Sequence, residues 1–200
     1  MLYSKHGASF GAKALTPILG SRVARRTATW ETDMRASLIV TLFFAGALVG
    51  LGVETAAIWP SLPARVATHF DWSGAPNGWA PRPVLLSVMA GVCLMEILLF
   101  ATLGGVRLSD RRINLPNKAY WLAPERREAT IDAIRLWIRA FVTVMTAFTS
   151  IVFIMAMRAN VDPAQPRLST LVPWMTASVL VITLTMLGWL YRRFHAPPDA

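Results

Sequence analysis

The stretch ASLIVTLFFAGALVGLGVETAAIW, residues 36–59, carries one charged side chain, Glu54, in 24 positions. As a helix it rises about 36 Å, enough to cross a ~30 Å hydrocarbon core, whereas a helix of a soluble bundle needs charges along its outer face. Windows 83–106, 140–157 and 171–191 repeat the pattern. The four windows hold 87 of the 200 residues but only two formal charges, Glu54 and Glu96, while the other 113 residues hold 29. The chain is 54% hydrophobic and 16% charged, which excludes an ordinary soluble domain. These windows predict an all-α membrane protein with four transmembrane helices over 36–192. A basic, disordered tail is expected over 1–35 and a short tail over 193–200.

The net charge is +9, and its 20 Lys and Arg are unevenly placed. Six precede the first span, two lie between the first and second, eight between the second and third, two between the third and fourth, and two follow the fourth. Lys and Arg gather on the cytoplasmic side of a membrane, so both termini and the central loop 107–139 are expected there, with the two shorter loops outside. No base-reading motif accompanies the basic residues, and nucleic acid is not expected as a partner.

Cys93, the one cysteine, falls inside the second span, so it belongs to no disulfide framework or zinc set and reads as a packing residue. The segment before the first span lacks a continuous apolar core and is not a cleavable secretory signal, so that span is expected to stay as an anchor. Met34, just ahead of the span, is an alternative start that would leave 167 residues with the same topology. Trp59, Trp79, Trp121, Trp137, Trp174 and Trp189 lie near span edges, where amphipathic rings favour the headgroup zone. The small steps Gly46 to Gly50 and Thr146 to Ser150 suit close helix packing, with a homo-oligomer contact as the other reading.

The first outer loop runs PSLPARVATHFDWSGAPNGWAPR over 60–82, with prolines at 60, 63, 76 and 81. That density of proline leaves no long regular element, and Ser73-Gly74 and Asn77-Gly78 each offer a position for positive φ, so successive turns are expected. Phe70, Trp72 and Trp79 would dip into the membrane surface or cap the helix mouths. The second outer loop, 158–170, reads as a plain connector. In the central loop, Pro124 followed by Glu125 and Glu128 marks a helix start that can run unbroken into the third span. Its first turns place Ile131, Ile134 and Ile138 near one face with Trp137 beside them, while Arg126, Arg127, Asp132 and Arg135 supply polar positions. That is the pattern of an interfacial helix whose basic residues meet anionic headgroups.

The run Leu62-Pro63-Ala64-Arg65-Val66-Ala67-Thr68-His69-Phe70-Asp71-Trp72-Ser73-Gly74-Ala75-Pro76 resembles the signature of a bacterial membrane family, domain of unknown function 1648. Its pattern is Leu-Pro, a spacer, Thr-His-Phe or Trp, Asn or Asp, then Gly-x-Pro; Asp71 stands here where Asn is commoner. The segment Ile113-Asn114-Leu115-Pro116-Asn117-Lys118-Ala119-Tyr120-Trp121 is similar to that family's second motif, and together the resemblance covers about 36–140. It implies a bacterial cytoplasmic membrane protein related to SdpI-type immunity proteins, which protect against a secreted toxic peptide and recruit a repressor. On that resemblance the binding residues are Leu62, Pro63, Thr68, His69, Phe70, Asp71, Gly74 and Pro76. Asn114, Leu115, Pro116, Asn117, Tyr120 and Trp121 form the cytoplasmic motif.

Read on their own chemistry, His69 and Asp71 admit three roles: hydrogen-bonding the turn at Ser73 and Gly74, forming a binding surface with Trp72 and Asn77, or ligating zinc. A zinc site would need Glu54 or a second subunit, because His6 and His195 fall in the tails, and no metal is expected. Glu96 lies deep in the second span, where a carboxylate costs about 2.5 to 3.5 kcal/mol, so it is either a proton or cation site or a carboxyl bonded to a nearby Thr or Ser. Glu54, near the outer end of its span, is expected to pair with Arg65 or Arg82. The motifs His-Glu-x-x-His, Gly-x-Ser-x-Gly and Gly-Lys-Ser/Thr are missing, so neither catalytic residues nor a cofactor are expected. Two functions follow. The first is a recognition, sensing or immunity-type protein whose loop 60–82 meets a secreted peptide or outer protein and whose loop 107–139 meets a cytoplasmic regulator. The alternative is a small oligomeric transporter or channel component using Glu96.

Overall fold

The computed structural model describes the backbone of residues 12–105, 113–162, 164 and 166–195, with side chains over 34–102, 113–162, 164 and 166–195. The run Arg107 to Arg112, the first eleven residues with His6, and the last five lie outside the described residues. The elements in order are α1 (Ala12–Ile58), a 3-10 turn (Trp59–Ser61), β1 (Arg65–Phe70), β2 (Pro76–Pro81), α2 (Arg82–Gly105), α3 (Lys118–Trp121), α4 (Pro124–Ala159) and α5 (Leu171–His195). Four helical stretches, Met34–Ser61, Arg82–Thr102, Pro124–Ala159 and Leu171–His195, are long and apolar enough to cross a membrane, as in a multi-pass membrane protein. The chain divides into two units, Met1–Ile39 and Val40–Ala200. The first holds the helical stretch that starts at Ala12, and the second holds the hairpin and the helices that follow it.

Proline punctuates these helices. Pro83, Pro124 and Pro173 each sit in a first turn, where the missing N–H would have had no intrahelical partner, and Pro60 closes α1 into the 3-10 turn. As expected, α4 starts at Pro124 and runs 36 residues without a break into the third span.

The first connecting loop corrects the all-α reading. It is a β-hairpin, β1 against β2 antiparallel, with Arg65 opposite Pro81, Val66 opposite Ala80, Ala67 opposite Trp79, His69 opposite Gly78 and Phe70 opposite Pro76. Pro76 and Pro81 bound β2, and in a two-stranded sheet every strand has an open edge, so neither proline breaks a ladder that needs its N–H. The register slips around Thr68, a bulge that bends β1. Among the described glycines only Gly74 has positive φ, +80°; the second expected turn, Asn77-Gly78, lies within β2.

Two strands alone are marginal, so this hairpin must be held by the helices. Val66 and Ala67 are fully buried, and Val66 joins Leu51, Leu62, Leu85, Met89 and Met157 in an apolar core at the hairpin end of the bundle. The connector 158–170 is not plain. Asn160, which caps α4, reaches into the hairpin, and Leu168 N donates to Gly74 O at 2.9 Å.

The face of α4 expected to be interfacial makes contacts within the protein. Ile131 is buried and Trp137 Nε1 donates to Met186 O of α5 at 3.0 Å, so this face meets protein. Arg126 lies over the Tyr120 ring and donates to Tyr120 O, a commitment to protein as well. The apolar stretch of α5 buries nothing; Phe194 near its end is its one buried side chain among the described residues. Gly46 and Gly50 face open space, not a helix neighbour within the chain.

Candidate functional site at the hairpin tip

Asp71 builds the tip. Its Oδ1 accepts from Ser73 N at 2.8 Å, Ser73 Oγ at 2.7 Å and Ala75 N at 3.0 Å, while its backbone closes the turn through Gly74 N to Asp71 O and Asp71 N to Ala75 O, both at 2.9 Å. The Ser73 hydroxyl foremost, then the Ala75 N–H, stabilise the carboxylate and hold its pKa below the ordinary value, with Arg167 adding a smaller attraction. Gly74 is required twice. Its φ is left-handed, and a Cβ there would collide with the carbonyl oxygen of Leu168. The turn is thereby clasped to the connector, and Arg167 Nη2 reaches Ser73 O at 3.4 Å.

Beside this clasp a groove of about 610 Å³ opens between the tip and the first turns of α5. Phe70, Asp71, Trp72 and Asn77 form its hairpin wall, and Val172, Pro173, Thr176, Ala177 and Leu180 form its helical wall. It is mostly apolar, with Asp71 and Asn77 of the hairpin and Ser169 and Thr176 beyond it as polar lining residues, and Trp72 is 87% exposed at its rim. Such a site suits a ligand with an apolar body and a polar end.

The other predicted residues scatter. Leu62 is core, Pro63 is half-buried at the hairpin base, and Pro76 starts β2 opposite Phe70. Thr68 Oγ1 lies 3.2 Å from His69 Nδ1 and 3.5 Å from Gly78 O. His69 is exposed against Gly78, outside the groove, so of the pair His69 and Asp71 only Asp71 bonds the turn. Glu54 pairs with Arg158 at 2.6 Å; Arg82, one of its expected partners, instead donates to Leu62 O at 3.0 Å and covers the Trp59 ring. No group of three His, Cys, Asp or Glu gathers among the described residues.

The second motif lies at the other end of α5. Asn117, in a left-handed conformation, donates from Nδ2 to His195 O at 2.6 Å, and Trp121 Nε1 donates to Phe194 O at 2.9 Å. These two side chains satisfy carbonyls that the end of a helix leaves open. Tyr120 stacks under Arg126, Leu115 and Pro116 are half-buried, and Asn114 is exposed.

Sequence reading passed over Asn160 and Arg167. Asn160 had a signal, a lone amide closing an apolar span at a helix C-cap position; Arg167 had none.

No curated protein and no solved structure matches the chain. One family model matches residues 39–94, the stretch from α1 through the hairpin into α2, and that family is described as Domain of unknown function (DUF1648).

Proposed function

We propose that the chain is a recognition or sensing protein of the immunity type, in a bacterial cytoplasmic membrane with its hairpin outside, and that it takes a secreted peptide or an apolar segment of an outer protein into the tip groove. The observation that carries this is the groove itself: the motif residues Phe70, Asp71 and Gly74 meet α5 there, beside an exposed Trp72. Large exposed aromatics around a concave apolar surface are anchors for a partner. The role is binding, not catalysis.

The same helix offers a route to a cytoplasmic regulator. α5 lines the groove at its start and is held by Asn117 and Trp121 at its end, so a ligand that shifts its first turns also loads the 113–121 segment. The uneven placement of Lys and Arg supports this orientation.

Labelling tests it. In a Cys93→Ala background, Trp72→Cys should react with a membrane-impermeant maleimide on intact cells, and Asn114→Cys only after permeabilisation. The opposite pattern would place the groove in the cytoplasm and end the proposal.

A further inference from the structure

Deep in the bundle, away from the groove, several buried polar groups have unfilled valences. Glu96 of α2 is 5% exposed, and on α4 Thr146 is 0% and Ser150 4% exposed. Glu96 Oε1 accepts from Thr149 Oγ1 at 2.8 Å, but Glu96 Oε2, Thr146 Oγ1 and Ser150 Oγ have no hydrogen-bond partner. At about 100° per residue, Thr149, Thr146 and Ser150 share one arc of α4, the arc that Thr149 turns to Glu96.

The two idle hydroxyls stand out against their neighbours. Thr55, Thr102 and Thr143 each donate to the carbonyl four residues back, the usual way a membrane helix satisfies a hydroxyl. Thr146 and Ser150 leave that bond unmade where an unmet polar group costs most. Glu96 has no ion pair among the described residues. Arg139 lies over the Phe100 ring, 5.5 Å from its centroid, and the stack of Phe44 on Phe100 at 4.1 Å closes the core one turn from Glu96.

We infer that Glu96, Thr146, Thr149 and Ser150 form a closed site for one monovalent alkali cation. Oxygen donors without nitrogen or sulfur select a hard cation. A single carboxylate neutralises a single positive charge, and a divalent ion would leave a net charge in a low-dielectric core. Neither hydroxyl bonds Oε2 or the other hydroxyl, whereas a cation between them takes the lone pairs of both along with the carboxylate. The site is independent of the groove reading.

The test uses the full chain purified in detergent, unfolded by heat in sodium, potassium or N-methylglucamine chloride at equal ionic strength and several pH values. Sodium or potassium should raise the midpoint in a saturable way, since a ligand of the native state stabilises it in proportion to its occupancy. Glu96→Gln should abolish the rise. Ser150→Ala, a milder change that keeps the fold, should move the half-saturating concentration at least tenfold upward. No rise with either alkali ion, a rise that survives Glu96→Gln, or a dependence on pH alone would each overturn the assignment.

Discussion

Asn160 holds Ala67 by both of its backbone polar groups: Oδ1 accepts from Ala67 N at 2.6 Å, and Nδ2 donates to Ala67 O at 2.9 Å. The side chain thus supplies what a third strand would, and it also bonds Ala156 O at 2.8 Å, tying the hairpin to the end of α4. Because the contact is buried, truncation leaves a donor and an acceptor without water. Asn160→Ala should cost about 2 to 3 kcal/mol. Asn160→Asp, which keeps the acceptor but loses both donors, should not rescue it. Chemical unfolding in detergent, with protease cleavage between Arg65 and Arg82 as a local readout, measures both.

Gly74→Ala combines a left-handed backbone with a collision against Leu168 O. The backbone term alone is about 1 to 2 kcal/mol, and the collision breaks the Leu168 N to Gly74 O bond. The expected outcome is a tip that separates from the connector, seen as faster cleavage at Arg167 with the melting of the helices little changed.

Asp71 makes the tip sensitive to acid. Its native pKa lies below the unfolded value of about 4, so the carboxylate's contribution is complete above that value and is lost as pH falls through the lowered native pKa. Ser73→Ala removes the largest cause and should raise the Asp71 pKa toward the ordinary value. Asp71→Asn should flatten the acid limb. Carboxyl chemical shifts followed by NMR titration report both variants.

At the other end, Trp121→Phe keeps the ring contact with Phe194 but deletes the Nε1 bond to its carbonyl. The expected loss is about 1 kcal/mol, confined to the last turn of α5. Hydrogen exchange of the 191–195 amides should rise while that of α2 stays unchanged.

The four spans were legible because lack of charge over some 20 residues is a property of the sequence alone. The helix start at Pro124 and the positive φ at Gly74 were legible for a similar reason, since both are local backbone demands. The hairpin was not. Its prolines argued for turns, and only the distant Asn160 and the apolar core around Val66 show why two short strands hold. Arg65 and Arg82 are the first arginines after Glu54 in sequence, yet its partner Arg158 comes from another helix, a pairing that sequence distance conceals. The groove was half readable: the hairpin motif named one wall, but the α5 wall came from a span that looked like any other.

The most direct measurement puts a photo-crosslinking amino acid at Trp72 and, as comparison, at His69, irradiates living cells of the native host, and identifies adducts by mass spectrometry. The groove account predicts a defined peptide or protein adduct from position 72, lost on filling the groove with Thr176→Trp and missing from position 69. Capture of lipid alone at position 72, or an identical adduct from both positions, would contradict it.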